Sequence, residues 1–558
     1  MEFQLINGTY DFKEIREKNC IYVDKTQFIA NMLSNYQRVF IARPRRFGKS
    51  LMVSTLESLF NAECRSLFHG LQIENRLDEP IFSPRPVLSI DMSKTVPIDI
   101  KAFEETLHFG LLDIAHIFNI ALDGKIPALN LAQIIQDISE AHGKKIVLLI
   151  DEYDTPLLDT FDNKPLHDEI HRQLQFFYRQ IKACEKFIDF VYVTGISMLS
   201  NAGGFLGLNN LTDLTMENNF AEMFGYTEKE IEIFFAPYIE TVSKKVGMKR
   251  EDFFARIRKY YNGYSFDGTA QVCNPVSIGR LFKLEDFDEY WIETGSQESV
   301  AKFVAQSNVD FDELDGYIIS ESEARNPGEI TTDLGAALYL CQSGYLTLRK
   351  TNDHQEFLLV YPNDEVRAAM AELIVSSYFH NDMTVSELRG AIVSAVENSD
   401  YKSLLNICNR MFSKFLHQNQ KFPKDATGDY KEGVYRSHLA TFFYGTDFTV
   451  RSEESSNIGD SGVVFEYNDK TVVFELKYYE EGKYKNDADG RLEEATTQIV
   501  NRNYAGSYEE PLSIGAAVDG ACRSITRAAF NGVACRIDGC EFVAFGTVDK
   551  KGRIVKSC

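Results

Sequence analysis

Residues 39–60 read VFIARPRRFGKSLMVSTLESLF, and no other stretch constrains the fold as tightly. Val39–Ala42 form a short apolar run, as in a buried strand. A basic loop ending in Gly48-Lys49-Ser50 follows. From Leu51 the pattern turns helical, through Thr55, Leu56, Leu59 and Phe60. Strand, loop and helix in that order is the setting of a phosphate-binding loop. Free N–H groups at the helix start face an anion, and the helix dipole assists. In that setting Lys49 reaches the β- and γ-phosphates of ATP, and Ser50 holds Mg²⁺ through its hydroxyl. The usual pattern is G-x-x-x-x-G-K-[ST], and Arg43 stands where its first glycine belongs. Pro44 can partly substitute by fixing its own φ. Taken alone, the loop also reads as a basic turn capping an ordinary helix.

A second stretch decides between these. KKIVLLIDEYDTP carries the apolar run Ile146–Ile150, closed by Asp151-Glu152. Continuous apolar runs of this kind suit strands buried on both faces of a parallel sheet. An acidic pair at such a strand's C-terminal end lies in the crevice where α/β sheets bind ligands. Asp151 would position Mg²⁺, and Glu152 would orient and polarise the attacking water. The two motifs lie about 100 residues apart, in the order of a Walker-type NTPase. RPVLSIDMS (85–93) and FIDFVYVTGIS (187–197) supply two further strands. Thr194, at the end of the latter, is a candidate sensor of the terminal phosphate, although a strand-ending threonine is more often structural. The candidate nucleotide-binding set is thus Arg45, Arg46, Phe47, Gly48, Lys49, Ser50, Leu51 and Thr194, with Ser50 and Asp151 toward the metal.

At 558 residues the chain is too long for one core, so several domains are expected. Its composition, 44% hydrophobic and 25% charged, fits a globular protein rather than a disordered one. No apolar run approaches the length of a membrane span, and the N-terminus lacks the layout of a signal peptide. The expected compartment is the cytoplasm, with no membrane partner. The ten cysteines form no C-x-x-C pair, which favours reduced structural thiols over disulfides or zinc. A net charge of −23 repels nucleic acid at long range but leaves a local basic groove open.

YVDKTQFIANML, RPRRFGKSL, LLIDEYDTP, TGIS and LNNLTDLT together resemble the AAA-ATPase-like proteins of bacteria and anaerobic microbes. That family carries RPRRFGKS as its own form of the Walker A loop. The resemblance continues through YNGYSF (261–266), NPVSI (274–278), YWIETGS (290–296), SGYLTL (343–348) and YPNDEV (361–366). It implies an ATP-binding domain followed by a domain similar to PD-(D/E)XK nucleases. One departure is TGISMLSN, where Met198 stands at a position often basic in the family and Asn201 lies three further on. Arg45 and Arg46 remain as nearby cations.

In the middle segment, GYTEKEIEIFFAPYIETVSKKVG reads as one amphipathic helix, with Thr227 as N-cap and Glu230 completing a capping box. REDFFARIRKYYNGYSF is a second helix, ended at Asn262-Gly263. SESEARNPGEI (320–330) reads as an exposed loop, and residues 341–363 as a β-hairpin turning at Asn352-Asp353. In the C-terminal part, residues 432–443 read as a helix, 461–479 as a hairpin and 491–505 as a helix. Helix, hairpin, helix is the core order of the resembled nucleases. Glu475 and Lys477, two apart on a strand, face one side. There a carboxylate would hold Mg²⁺ beside a cation that polarises water or steadies the phosphorane. The resemblance implies a metal-binding aspartate about 13 residues before that glutamate, where this chain has Gly462. Asp460 and Glu432 are the substitute carboxylates, and Gln498 and Tyr504 match the later helix string.

The expected fold class is α/β: a P-loop NTPase parallel sheet with helices on both faces, a mostly helical middle segment, and a C-terminal α/β PD-(D/E)XK-like domain. The corresponding boundaries are 1–225, 226–395 and 396–558. The leading function is an ATP-hydrolysing AAA-like protein using ATP and Mg²⁺, with a nuclease-like domain. Its alternative is a slow nucleotide switch whose degenerate nuclease fold binds nucleic acid or protein. A structural interaction protein is the third class. Nucleic acid and self-association stay open as partners.

Overall fold

The computed structural model describes residues 8–122, 124–197, 210–291, 300, 316–325, 333–351, 356–379, 384–398, 400–415, 435–436, 439–440, 442–443, 446, 448–452, 462–467, 470–479, 488–501, 512–519, 524–530, 533–538, 541–548, 551 and 553–556. The chain divides into two compact units, 1–295 with 317–366, and 296–316 with 367–558.

Unit one is built on a parallel sheet of β1 (Arg38–Ala42), β2 (Val87–Asp91), β3 (Ile146–Asp151), β4 (Ile188–Gly195) and β5 (Thr212–Asp213), in the order β2-β3-β4-β1-β5. Strand β3 is buried along its whole length, as its unbroken apolar run requires. Phe40, Leu148, Ile150, Val191 and Val193 pack with residues of the helices Ile100–Ile117, Pro127–His142 and Lys164–Ala183 in one core. The alternate residues Val39, Ile41, Val147, Leu149 and Tyr192 are buried too. On that second face the helix Lys49–Phe60 lies against β2 and β3. The parallel sheet with helices on both faces is therefore as the sequence implies.

The middle segment packs its helices around Phe253, Ile257, Tyr261, Leu281 and Phe282, and takes in Ile21 and Val23 from the N-terminal stretch IYVDKT. The capping box of Thr227 and Glu230 forms. Glu230 also accepts from the buried Lys25 ammonium at 2.6 and 2.7 Å, so one carboxylate caps a helix and ties it to the chain start. The single helix expected here is two, Glu228–Phe234 and Ala236–Lys245. Pro237 sits in the first turn of the second and has no N–H to continue the first. The loop expected at 320–330 contains the helix Glu321–Arg325. Its start carries a signal the loop reading passed over: Ser320 and Glu323 bond each other reciprocally, as a capping box does. The hairpin β7 (Thr347–Lys350) and β8 (Glu356–Val360) forms, and β6 (Tyr317–Ser320) pairs with β8 to make three strands in the order β6-β8-β7. Residues 352–355, where its turn was expected, lie outside the described residues.

Unit two centres on an eight-stranded sheet: β9 (Thr449–Ser452), β10 (Gly462–Tyr467), β11 (Lys470–Tyr479), β12 (Leu512–Asp519), β13 (Ser524–Phe530), β14 (Val533–Asp538), β15 (Glu541–Val548) and β16 (Ile554–Lys556), neighbours in chain order. Strands β11 and β12 run parallel, joined through the helix Ala488–Asn501, and the other pairs are antiparallel. The described residues between 435 and 443 are helical. There Phe443 stacks on Phe465 at 4.2 Å, and Tyr435 lies 5.9 Å from Tyr478. Ile499 of the helix Ala488–Asn501 packs on Val464 and Val473, which alternate to the other face. The α/β C-terminal domain is therefore present, with more strands after its last helix than the sequence reading identified.

Candidate nucleotide site and candidate nuclease-like site

The loop between β1 and the helix Lys49–Phe60 takes its shape from two left-handed residues, Arg46 at φ 72° and Gly48 at φ 92°. Gly48 adopts that conformation without strain; at Arg46 it costs roughly 1–2 kcal/mol. Gly48 is the N-cap and provides no side-chain bond to the first turn, which leaves those N–H groups to an anion. Arg43 does not replace the missing glycine by pointing at phosphate. It is fully buried, and its guanidinium donates to the carbonyls of Ala42 (2.8 Å), Thr215 (2.8 Å) and Phe220 (3.1 Å). The same group lies 4.1 Å above the Phe266 ring and 5.4 Å from that of Phe224. Burial pushes it down to about 10. Its φ is not left-handed, so the turn needs no glycine there. Phe47, also buried, packs edge-on against Tyr264 (4.8 Å) and Phe266 (5.3 Å). Of the expected nucleotide-binding set, Phe47 thus serves as an anchor into the middle segment. Arg45, Arg46, Gly48, Ser50 and Leu51 are partly exposed, and Arg46 donates to the Tyr10 hydroxyl at 3.0 Å.

Strands β1 and β3 are separated by β4, so their ends stand about 10 Å apart, two strand spacings. Side chains close that gap. The Lys49 ammonium lies 3.2 and 3.3 Å from the carbonyls of Arg43 and Pro44, and 3.5 Å from Glu152 Oε1. Ser50 donates to Asp151, which lowers its pKa, but burial dominates and pushes that carboxyl up to about 6. Strand β2 places Asp91 in register beside Asp151. Glu152 stands at φ 50°, and its N–H donates to Asp151 Oδ1 at 2.9 Å. The geometry brings together Lys49, Ser50, Asp151 and Glu152: an ammonium, a hydroxyl and two carboxylates.

Thr194 does not join them. It is fully buried on β4, and its hydroxyl donates to the Ile41 carbonyl at 2.7 Å. Its position favours a ladder role over phosphate sensing. Met198 and Asn201 lie outside the described residues. Asp154 and Tyr153, which follow the acidic pair, are buried and bonded to the end of β4 and the two residues after it; DEYDTP displays both, with nothing in its spacing to mark a role for either.

In unit two, Glu475 and Lys477 share one face of β11, with the Lys477 ammonium 3.7 Å from Glu475 Oε1 and the carboxylate fully buried. The register sets Gly462 directly across from Glu475 on β10 and Gly515 beside it on β12. A side chain at 462 would therefore stand next to the carboxylate, and glycine provides none. Gly515 lets the helix Ala488–Asn501 approach: a Cβ there would lie 2.9 Å from the Thr496 methyl. Gln498 sits half-buried on that helix. Glu432, Asp460 and Tyr504 lie outside the described residues. Among the described residues no cluster of three or more His, Cys, Asp or Glu is arranged to hold a metal, and no helix is long and apolar enough to cross a membrane. Cys20, Cys64, Cys184, Cys273, Cys341 and Cys408 are free thiols.

Residues 7–205 match the family model described as predicted AAA-ATPase, and residues 430–527 match that of the PD-(D/E)XK nuclease superfamily. The chain joins an AAA-ATPase-like domain to a PD-(D/E)XK nuclease-like domain. A protein described as uncharacterized, in the vnfD 5' region of Azotobacter chroococcum mcd 1, is 29% identical over 517 residues, spanning 91% of this chain and 94% of its own. The structure of the Aeropyrum pernix ORC2 protein, in ADPNP-ADP complexes, matches at 10% identity over 63% of this chain and 89% of that one, with a TM-score of 0.17. That likeness is too distant to bear on the site. The AAA-ATPase-like domain carries the loop and the acidic turn.

Arg43→Gly would restore the usual loop pattern in sequence, yet it removes three hydrogen bonds and the packing on Phe266. The expected result is a loss of roughly 3–5 kcal/mol of stability, read as a lower denaturant midpoint. A variant as stable as the wild type would show that the guanidinium carries no structural weight.

Proposed function

We propose that this protein binds ATP with Mg²⁺ at the loop of residues 43–51 and hydrolyses it. The approach of Lys49 and Ser50 to the Asp151-Glu152 pair supports this most strongly. Lys49 is placed to take the phosphate charge, displacing carbonyl contacts that are long and weak. The Ser50 hydroxyl and the Asp151 carboxylate would hold Mg²⁺, a hard cation that suits oxygen donors; bound there, it neutralises charge on the phosphate oxygens. Glu152, partly exposed beside Lys49, orients and polarises water for in-line attack. Arg43 and Phe47 fix the loop to Tyr264 and Phe266, so a change in loop shape on binding acts directly on the middle segment. Lys49→Ala is expected to lose binding of a fluorescent ATP analogue by at least about tenfold, because a charge-assisted phosphate contact disappears. Equal binding by the variant would remove the loop from the nucleotide site.

For the nuclease-like domain, the register supports a second reading over catalysis. Glycine at 462 gives Glu475 no carboxylate partner directly across the sheet, at the position where the resembled nucleases carry their metal-binding aspartate. In this reading the domain is a nucleic-acid or protein binding module. Purified protein with Mg²⁺ or Mn²⁺ is then expected to cleave neither single- nor double-stranded DNA or RNA. Cleavage that vanishes in Glu475→Gln would establish catalysis and overturn the binding-module reading.

A further inference from the structure

The turn after β3 is clamped to the end of β4. Tyr153 N–H donates to the Thr194 carbonyl at 3.2 Å, and the Tyr153 hydroxyl donates to the Ser197 carbonyl at 2.9 Å. The Asp154 carboxylate, 1% exposed, accepts the Ile196 N–H at 3.1 Å and the Ser197 N–H at 2.6 Å. Gly195 makes this approach possible: a Cβ there would lie 2.3 Å from Asp154 Oδ1 and 2.4 Å from the Tyr153 ring. The second side of the turn is closed by Tyr178, whose hydroxyl donates to the Tyr153 carbonyl at 3.2 Å.

This clamp bears on the strained residue between the two acids. Glu152 stands in the left-handed region, which costs a residue with a Cβ roughly 1–2 kcal/mol. Such a conformation persists only where its surroundings over-determine it. Glu152 is held before it by Asp151 and after it by Thr155, whose N–H donates to the Glu152 carbonyl at 3.1 Å and whose hydroxyl donates to its carboxylate at 3.3 Å. Asp154 is the buried group that fastens this whole turn to the sheet. A buried carboxylate accepting backbone N–H groups is expensive to leave unsatisfied, so the arrangement is stiff.

We propose that Asp154 is a positioning residue for ATP hydrolysis: by accepting the Ile196 and Ser197 N–H groups through the space left by Gly195, it locks the turn that aims Glu152 at the phosphate loop. The inference rests on the ATPase reading above. Among the described residues Asp154 makes no hydrogen bond to the loop and acts on Lys49 only through space, so its loss acts mainly on the chemical step and changes nucleotide affinity little. A displacement of about 1 Å in a reacting group is worth roughly 10²-fold in rate.

The test compares wild type, Asp154→Asn and Tyr153→Phe in the full chain, by equilibrium binding of ATP, by steady-state turnover with Mg²⁺, and by thermal unfolding. Oδ2 accepts both N–H groups and Oδ1 lies 3.3 Å from that of Ile196, so Asp154→Asn keeps the shape but in either orientation sets an amide N–H₂ against at least one N–H donor. The expected result is a Kd within about threefold of wild type and a kcat lower by roughly 10²-fold. Tyr153→Phe removes one clamp bond without burying a new polar group; it should fold even if Asp154→Asn does not, with kcat lower by several-fold and Kd unchanged. Wild-type protein that binds no ATP, or turns none over, overturns the ATPase reading and this inference with it. Wild-type turnover matched by both variants overturns this inference alone. So does a Kd weakened in parallel with kcat in a variant that unfolds at the wild-type temperature.

Discussion

The Lys49 ammonium meets Glu152 across a strand that belongs to neither of them. Its four-carbon stem starts at the first turn of the helix after β1 and ends 3.5 Å from a carboxylate after β3, with β4 between. That reach requires the loop to curl over the end of β4 and the acidic turn to lean toward it. Both conditions are met by residues in left-handed backbone, Arg46 and Gly48 on one side and Glu152 on the other. The rest of unit one holds those two turns in place. Arg43 and Phe47 pin the loop to Tyr264 and Phe266, while Tyr153 and Asp154 pin the acidic turn to Gly195–Ser197.

Much of this was legible in the sequence. Apolar runs at 39–42 and 146–150 dictated buried parallel strands, and helical spacing after Ser50 dictated the helix that closes the phosphate loop. The capping box at Thr227 and Glu230 was legible too, because two residues three apart suffice to specify it. The break at Phe235 and the helix at Glu321–Arg325 were harder. The first turns on one residue, Pro237, and the second on the pair Ser320 and Glu323, inside stretches whose overall pattern suggests something else.

Less legible were the contacts made over long sequence distance. Nothing in IARPRRFGKSL announces that Arg43 turns inward to carbonyls at 215 and 220, since the loop alone reads as basic and exposed. Thr194 is a candidate sensor by sequence because it ends a strand, although a structural role is the commoner one there. Its hydroxyl is instead taken by Ile41, a partner fixed only once β1 and β4 pair. The family resemblance singled out the glycine at 462, and the pairing of β10 with β11 gives that position its meaning by setting it opposite Glu475. Gly515, on the other side of Glu475, was invisible until β12 was known to be a neighbour.

In the function proposed above, the loop of residues 43–51 and the acidic turn form a single ATP-hydrolysing site, with Glu152 acting on water. The most direct measurement is ATP binding and Mg²⁺-dependent turnover by Glu152→Gln, side by side with wild type. The variant is expected to bind ATP about as tightly as wild type and to lose nearly all turnover, because the glutamine cannot take a proton from water. Undiminished turnover by the variant would contradict the proposed role of Glu152.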